Sequence, residues 1–408
     1  MHILFLTQIL PYPPDAGPKV KTWNVLRYLL QRGHYVTLVS FVRPDEVKHI
    51  PTLIDACDKV FTVPIQRSRI ADAVYLVRSY FTGRPFLIER DDLRPMQKLI
   101  NKLVRDNAFD YIHADQLTMV QFALRGASAA QGEKPKVIFD AHNAVWTIVE
   151  RMQESAPWFL KPILAIEAKR IKRYEGKLLR MVDHVLTVTG IDQKFLEEAL
   201  HFSNDHSGNR VSPVTVIPIA VDTKNLQPVV RKTNLKNIVT LGTLHYPPNA
   251  DGIRWFSNEV FPIIRRRLPD AKLTIIGKNP PPDFLDLVAR NPHSIKVTGY
   301  VPDLVPYLEK STLMVVPVRA GGGMRVRILE AFAYGMPVVT TTVGLEGIQA
   351  QIGEDVIVAD TPDSFSNAVC KLLENKNLQD HLSVNARRLA ETSYDWHVVL
   401  KVMDSIFQ

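Results

Sequence analysis

The stretch that decides the fold is Leu313-Met-Val-Val316-Pro317-Val-Arg-Ala-Gly321-Gly322-Gly323-Met324-Arg325-Val326-Arg327-Ile-Leu-Glu330-Ala-Phe-Ala-Tyr334-Gly335-Met-Pro337-Val-Val339. It reads in order as strand, glycine-rich turn, helix and strand. The continuous apolar run Leu313–Val316 suits a strand covered on both faces of a parallel sheet. Val326–Tyr334 carries apolar residues at helical spacing, Gly335 is a helix terminator, and Pro337 lies just beyond it. Pro337–Thr341 then reads as the next strand. A strand, a crossover helix and a second strand form the repeating unit of α/β folds.

The same unit recurs outward in both directions. Towards the C-terminal half, strands are expected at Ile238–Leu241, Lys272–Ile276 and Ile295–Thr298, with a helix over Asp251–Leu268. Towards the N-terminus, strands are expected at Ile3–Leu6, Tyr35–Phe41, Tyr111–Ala114, Lys136–Asp140, His184–Thr189 and Val216–Ala220, with a helix over Thr22–Gln31. His201–Val214 is polar and loop-like, and Val229–Lys236 is polar and basic, the better linker. At roughly 100–200 residues per domain, the 408 residues make two α/β domains. The expected limits are 1–228 and 229–391, with a C-terminal helix at about 392–408 rejoining the first domain.

Composition is that of a globular protein, with 46% apolar and 23% charged residues. Two cysteines far apart exclude a disulfide framework and fit a reducing compartment. His2–Thr7 lacks the basic leader of a signal peptide, and no apolar run approaches the roughly 20 residues that span a bilayer. A cytoplasmic protein is expected, or one peripheral on the inner face of the membrane. Residues 1–195 hold 28 Lys and Arg against 20 acidic residues, whereas 196–408 hold 22 of each, so the first half carries the whole +8 excess. Trp158–Arg180 reads as one basic helix, with Leu160, Ile163, Leu164, Ile171, Leu178 and Leu179 as its buried stripe. It is either a surface helix or a segment that lies on an anionic membrane. Without interleaved aromatics beyond Trp158 and Tyr174, nucleic acid is not an expected partner.

Three glycines before a helix let backbone amides approach a ligand, and a helix N-terminus favours an anion. Arg325 and Arg327 at that end oppose the macrodipole by about 0.3–1 kcal/mol each. A bound diphosphate removes that conflict. Glu330, three residues after Arg327, shares its face; it either accepts from ribose hydroxyls or pairs with Arg327. In α/β sheets ligands sit beyond the carboxyl ends of strands. That places two N-terminal loops in a candidate site. Pro11–Lys19 can present the Gly17 amide to a phosphate or an acceptor. Asp140–Asn143 offers His142 to a sugar hydroxyl or to the reacting centre. His113-Ala-Asp115 hints at metal, but no third ligand is spaced to complete a site, so no metal and no cofactor are expected. No dinucleotide fingerprint, Walker loop or nucleophile elbow occurs.

With these motifs in view, the chain resembles the retaining glycosyltransferases of the GT-B fold, family 4. The resemblance rests on the Pro-Tyr-Pro-Pro-Asp15-Ala-Gly17 loop, Asp140–Asn143, Asp183–Thr189, Ile217–Asp222, Gly242–Asn249, Gly299–Asp303, Tyr394–Trp396 and above all Gly321–Val339. It implies two Rossmann-like domains facing each other across a cleft, the second holding a nucleotide-diphosphate sugar and the first a glycan or lipid-linked acceptor. It implies that Arg325 and Arg327 hold the diphosphate and Glu330 the ribose, and that the Gly322 and Gly323 amides meet sugar hydroxyls. Val301 would lie near the base, His142 by the anomeric carbon and Gly17 by the phosphates, with Gly242 and Met324 completing the donor set. Cell-surface polysaccharide or glycolipid assembly is the implied setting. The chain departs from the family pattern at Gly322, where the first of two glutamates usually stands. It departs again at Thr243 and Tyr246–Asn249, where Arg and Lys are common. A sugar-nucleotide epimerase of the same fold and a non-catalytic nucleotide-sugar-binding protein are the competing readings.

Overall fold

The computed structural model describes residues 1–203, 211–232 and 235–408, and only the backbone of 154 and 155. The expected connectors 201–214 and 229–236 therefore lie partly outside the described residues. The rest divides into two compact units, Met1–Ile219 with Leu400–Gln408, and Ala220–Val399.

The first unit is a seven-stranded parallel sheet. Its strands are β1 (His2–Thr7), β2 (Tyr35–Val42), β3 (Lys59–Pro64), β4 (Tyr111–Asp115), β5 (Lys136–Ala141), β6 (His184–Thr187) and β7 (Val214–Val216), in the order β3-β2-β1-β4-β5-β6-β7. Leu4, Leu6, Val39, Ile112, Val137, Phe139 and Val185 are buried in its core. The second unit is a six-stranded parallel sheet of β8 (Asn237–Leu241), β9 (Lys272–Ile276), β10 (Ile295–Val297), β11 (Leu313–Val316), β12 (Val338–Thr340) and β13 (Ile357–Val358). Its order is β10-β9-β8-β11-β12-β13. In both sheets the order reverses beside the first strand, which is the doubly wound pattern.

Two expected elements are corrected. The strand expected at Val216–Ala220 is β7, Val214–Val216; Pro218 has no N–H to give to a ladder. The helix expected over Asp251–Leu268 is Pro247–Trp255, a π turn Phe256–Val260, and Phe261–Arg267. Pro262 lacks the amide that would continue the α ladder, and a wider turn absorbs the loss.

The boundaries between units follow contacts rather than composition. Thr223 donates from its amide and its hydroxyl to Asp395 Oδ2 at 3.2 and 2.6 Å, and Val221 pairs with Asp395. These ties place the stretch from Ala220 onwards in the second unit. At the other end, Asp404 accepts from Tyr28 Oη at 2.8 Å and pairs with Arg32, and the Gln408 carbonyl accepts from Tyr111 Oη at 2.8 Å. The last residues thus complete the first unit.

Candidate functional site

Local sequence builds the glycine loop in the second unit. Gly321 and Gly323 have φ of +102° and +82°, a region that costs a side-chain-bearing residue roughly 1–2 kcal/mol. The loop turns back after β11 and delivers the chain to a helix, Val326–Ala333. Arg325 is the residue that caps this helix in extended backbone, and its Nη1 donates to the Gly322 carbonyl at 2.6 Å. Arg327 Nη1 donates to Glu330 Oε2 at 2.6 Å. The opposition between Arg327 and the helix dipole is therefore met by Glu330 within the chain itself, and Arg325 folds over its own loop. Met324 is buried beneath.

The neighbouring strand loops meet this one. Gly242 ends β8 and packs against Asn249, and the same loop places Pro248 beside Gly321. Sequence reading overlooked Gly277, which follows β9. A Cβ there would stand 1.9 Å from the Gly242 carbonyl oxygen, so only glycine lets the two strand ends approach. Val301 lies after β10, the edge strand. Its loop is tied to the end of β9, where the Gly277 amide donates to the Gly299 carbonyl at 2.9 Å. The structure thus gathers Gly242, Val301 and Gly322–Glu330 at the carboxyl edge of one sheet.

The first unit holds Gly17 and His142, and here the structure adds most. Gly17 opens the helix Gly17–Gln31. That helix lowers Lys21 and Thr22 onto the carboxyl ends of β4 and β5, where Asp115 and Asp140 stand side by side in the sheet register. His142 Nε2 lies 2.8 Å from Asp115 Oδ1. Thr22 Oγ1 donates to the same carboxylate at 3.0 and 3.1 Å. With Asp115 as a carboxylate, Nε2–H is the donor and Nδ1 is the ring nitrogen turned away from it.

Next to this pair, Lys21 and Asp140 form a fully buried ion pair. Burial alone would raise the Asp140 carboxyl. The Lys21 ammonium reverses that, helped by His113 and His142, and holds it well below the usual carboxylate range. His113 is stacked on Phe5 with ring centroids 4.3 Å apart, and its Nε2 is 3.4 Å from Asp140 Oδ2. One expectation is corrected here. A third group does join His113 and Asp115: Asp140, with ligand-type atoms of all three within 4.8 Å of one another. Spacing along the chain missed it because it comes from the adjacent strand. The charges of this cluster are already answered by protein donors, Lys21 on Asp140 and Thr22 with His142 on Asp115.

The loop after His142 is anchored from behind. Glu175 Oε1 and Oε2 accept from the amides of Val145 and Trp146 at 2.8 and 3.1 Å, capping the Val145–Ser155 helix. Glu175 belongs to the helix Lys161–Met181. Burial pushes its carboxyl up to about 8; the two amides pull against this, and Asp192 adds to it. The folded state therefore keeps a proton that the unfolded chain releases near the ordinary value of 4.5. This contribution to stability falls as pH rises from about 4.5 to about 8. Glu175→Gln should flatten that slope in melting temperatures taken across the window; an unchanged slope would assign it to another group.

Residues 17–225 match the model described as Glycosyltransferase Family 4, and residues 235–375 that of Glycosyl transferases group 1. An uncharacterized 44.6 kDa protein of the cps region of Klebsiella pneumoniae is 27% identical over 178 residues, 42% of this chain and 45% of that protein. An uncharacterized glycosyltransferase of Methanocaldococcus jannaschii is 26% identical over 179 residues, with the same shares. The chain thus spans under half the length of the curated relatives it matches. Among solved structures, Anabaena HepE in complex with UDP and glucose aligns with a TM-score of 0.69 at 14% identity, over 100% of this chain and 99% of that one. Sucrose-phosphate synthase from Thermosynechococcus elongatus aligns with a TM-score of 0.70 at 15% identity, over 100% and 98%.

Two doubly wound units, the second with glycine loops at its strand ends, have the fold of the GT-B glycosyltransferases. The chain belongs to glycosyltransferase family 4.

Proposed function

We propose that this protein moves a sugar from a nucleotide-diphosphate sugar to a glycan or lipid-linked acceptor, with retention of anomeric configuration, in cell-surface polysaccharide or glycolipid assembly. The observation that carries the reading is the Gly321–Glu330 segment. It sets two glycines of positive φ, the start of a helix and two arginines together at the carboxyl edge of a sheet. Backbone amides at such a point suit a diphosphate, and guanidinium groups suit its charge. Arg327 then exchanges its Glu330 contact for a phosphate oxygen, which frees Glu330 for the ribose hydroxyls. Gly17, Gly242, Val301, Gly322, Gly323 and Met324 complete the donor contacts, and His142 serves the reacting centre.

In the transfer, the bond from the anomeric carbon to the diphosphate oxygen breaks as the acceptor oxygen bonds to that carbon. The acceptor proton passes to the departing diphosphate on the same face, and the arginines stabilise its developing charge. Support for a uridine diphosphate donor comes from the ligand named for HepE. The basic excess of residues 1–195 supports docking at an anionic membrane surface on the cytoplasmic side. The Asp115–His142 pair favours a second reading, epimerisation of the nucleotide sugar, which would convert the donor without any acceptor.

Melting temperatures with UDP, UDP-glucose and GDP-mannose test the reading. A ligand at a hundred times its Kd adds about 2.7 kcal/mol of stability. The rise should be the same in EDTA, because neither the glycine loop nor the arginines need a metal to hold a diphosphate. The absence of a rise with any nucleotide sugar sinks the donor reading. A rise lost in EDTA and restored by manganese sinks metal independence.

A further inference from the structure

One helix of the first unit is built inside out. Arg69–Thr82 turns Asp72, Tyr75 and Ser79 toward the protein. Ser79 Oγ donates to the Arg84 carbonyl at 2.7 Å and receives Arg170 Nη1 at 3.5 Å. At 3.6 residues per turn, the opposite face carries Ile70, Val74, Val77 and Phe81 in one line, flanked by Ala73 and Tyr80. All six are exposed, Ile70 and Phe81 at 80%. A water-facing helix has the reverse pattern, and single exposed apolar residues would need no explanation. A whole exposed stripe does need one.

A second apolar surface lies on the helix it touches. The Arg170–Ser79 contact, and Glu167 accepting from the Phe86 amide at 2.5 Å, tie the end of Arg69–Thr82 to Lys161–Met181. The basic helix expected to bury Leu160 and Ile163 leaves both exposed and buries its stripe only from Ala168 on. Before that point Trp158 (83% exposed), Phe159, Leu160, Ile163 and Ile166 face solvent. Beyond it the exposed residues include Lys169, Arg173 and Lys177; across 156–181 every exposed charged side chain is positive.

We propose that the outer face of Arg69–Thr82 and the exposed apolar residues 158–166, at the start of the Lys161–Met181 helix, together insert into the interface of an anionic lipid bilayer. Lys169, Arg173 and Lys177 take the headgroup phosphates. Apolar and aromatic side chains above a row of cations, with no acid among them, match that interface in both polarity and charge. A second copy of the chain would bring the same cations against one another. The inference rests on the membrane reading proposed above and names its surface.

Co-sedimentation with phosphatidylcholine–phosphatidylglycerol vesicles tests it, with pure phosphatidylcholine alongside. Wild-type protein should bind the anionic vesicles. Val77→Asp/Phe81→Asp should weaken binding by about a hundredfold, since two apolar side chains leave the bilayer and two charges enter it. The melting temperature should be unchanged, because both positions already face water. Lys169→Gln/Arg173→Gln/Lys177→Gln should lose the preference for the anionic lipid. Cys57 and Cys370 are buried, so an environment-sensitive fluorophore on Val74→Cys should shift to the blue when vesicles are added. If wild-type protein binds no vesicles, the membrane reading itself fails. If it binds and the Val77/Phe81 variant binds equally, or the fluorophore stays in water, only the inserted surface is wrong. A wild-type dimer that this variant dissociates in sedimentation equilibrium would assign the stripe to a second copy instead.

Discussion

Asp115→Asn is expected to lower kcat by about one to two decades, the cost of a charge-assisted hydrogen bond, with little change in the KM for the donor. Asp115 does not need to touch substrate to have this effect. Its carboxylate holds His142 Nε2 at 2.8 Å and is itself held by Thr22, so it sets which ring nitrogen carries hydrogen and where the ring points. An amide keeps the shape but removes the charge, and one of its two terminal groups donates where the ring needs an acceptor. His142→Ala should cost at least as much. The double variant should be no worse than His142→Ala, because residues that act as one unit are not additive. Steady-state kinetics of the four proteins, with pH profiles, decide the matter. Normal turnover by His142→Ala removes His142 from the reaction. Normal turnover by Asp115→Asn alone leaves His142 in place and shows that it is positioned by something else.

Arg327→Ala is expected to weaken donor binding or turnover by about one to two decades, for the same kind of contact now made to phosphate. Stability should stay nearly level. The lost Arg327–Glu330 pair is partly exposed and close in sequence, worth a few tenths of a kcal/mol. Relief of a cation at a helix N-terminus is of similar size and opposite sign. Arg327→Lys keeps the charge but loses the planar fork that grips a phosphate in two places, so it should fall between the two. Calorimetric titration with UDP and a melting curve check both statements. A variant that melts early yet binds and turns over donor normally would make Arg327 a structural partner of Glu330 and nothing more.

The two sites were legible in the sequence to different degrees. Arg325, Arg327 and Glu330 stand within six consecutive positions, and helix period and glycine chemistry act over that range. Even so, the sequence left two roles open for Glu330. The structure shows the Arg327 contact, and the ribose role is the one proposed for the donor-bound state. Around His142 the sequence named Asp115 and Asp140 without their roles and missed Lys21, Thr22 and Glu175, which hold those carboxylates and the following helix. Lys21, Thr22, Asp115 and Glu175 come from a preceding helix, a neighbouring strand and a later helix. No motif spacing joins them.

By itself the sequence determined the alternation of strand, turn and helix, the two-unit α/β class and the glycine loop with its arginines. These depend on apolar periodicity and turn residues, which are local. It also determined the basic balance of the first half. Only the tertiary structure decided that Asp115 and Asp140 adjoin, because sheet register sets which strand ends meet. Likewise, only packing decided which face of Arg69–Thr82 looks outward. An apolar stripe at helical spacing reads the same whether it is covered by a sheet or by nothing, since periodicity fixes a face but not the medium it faces.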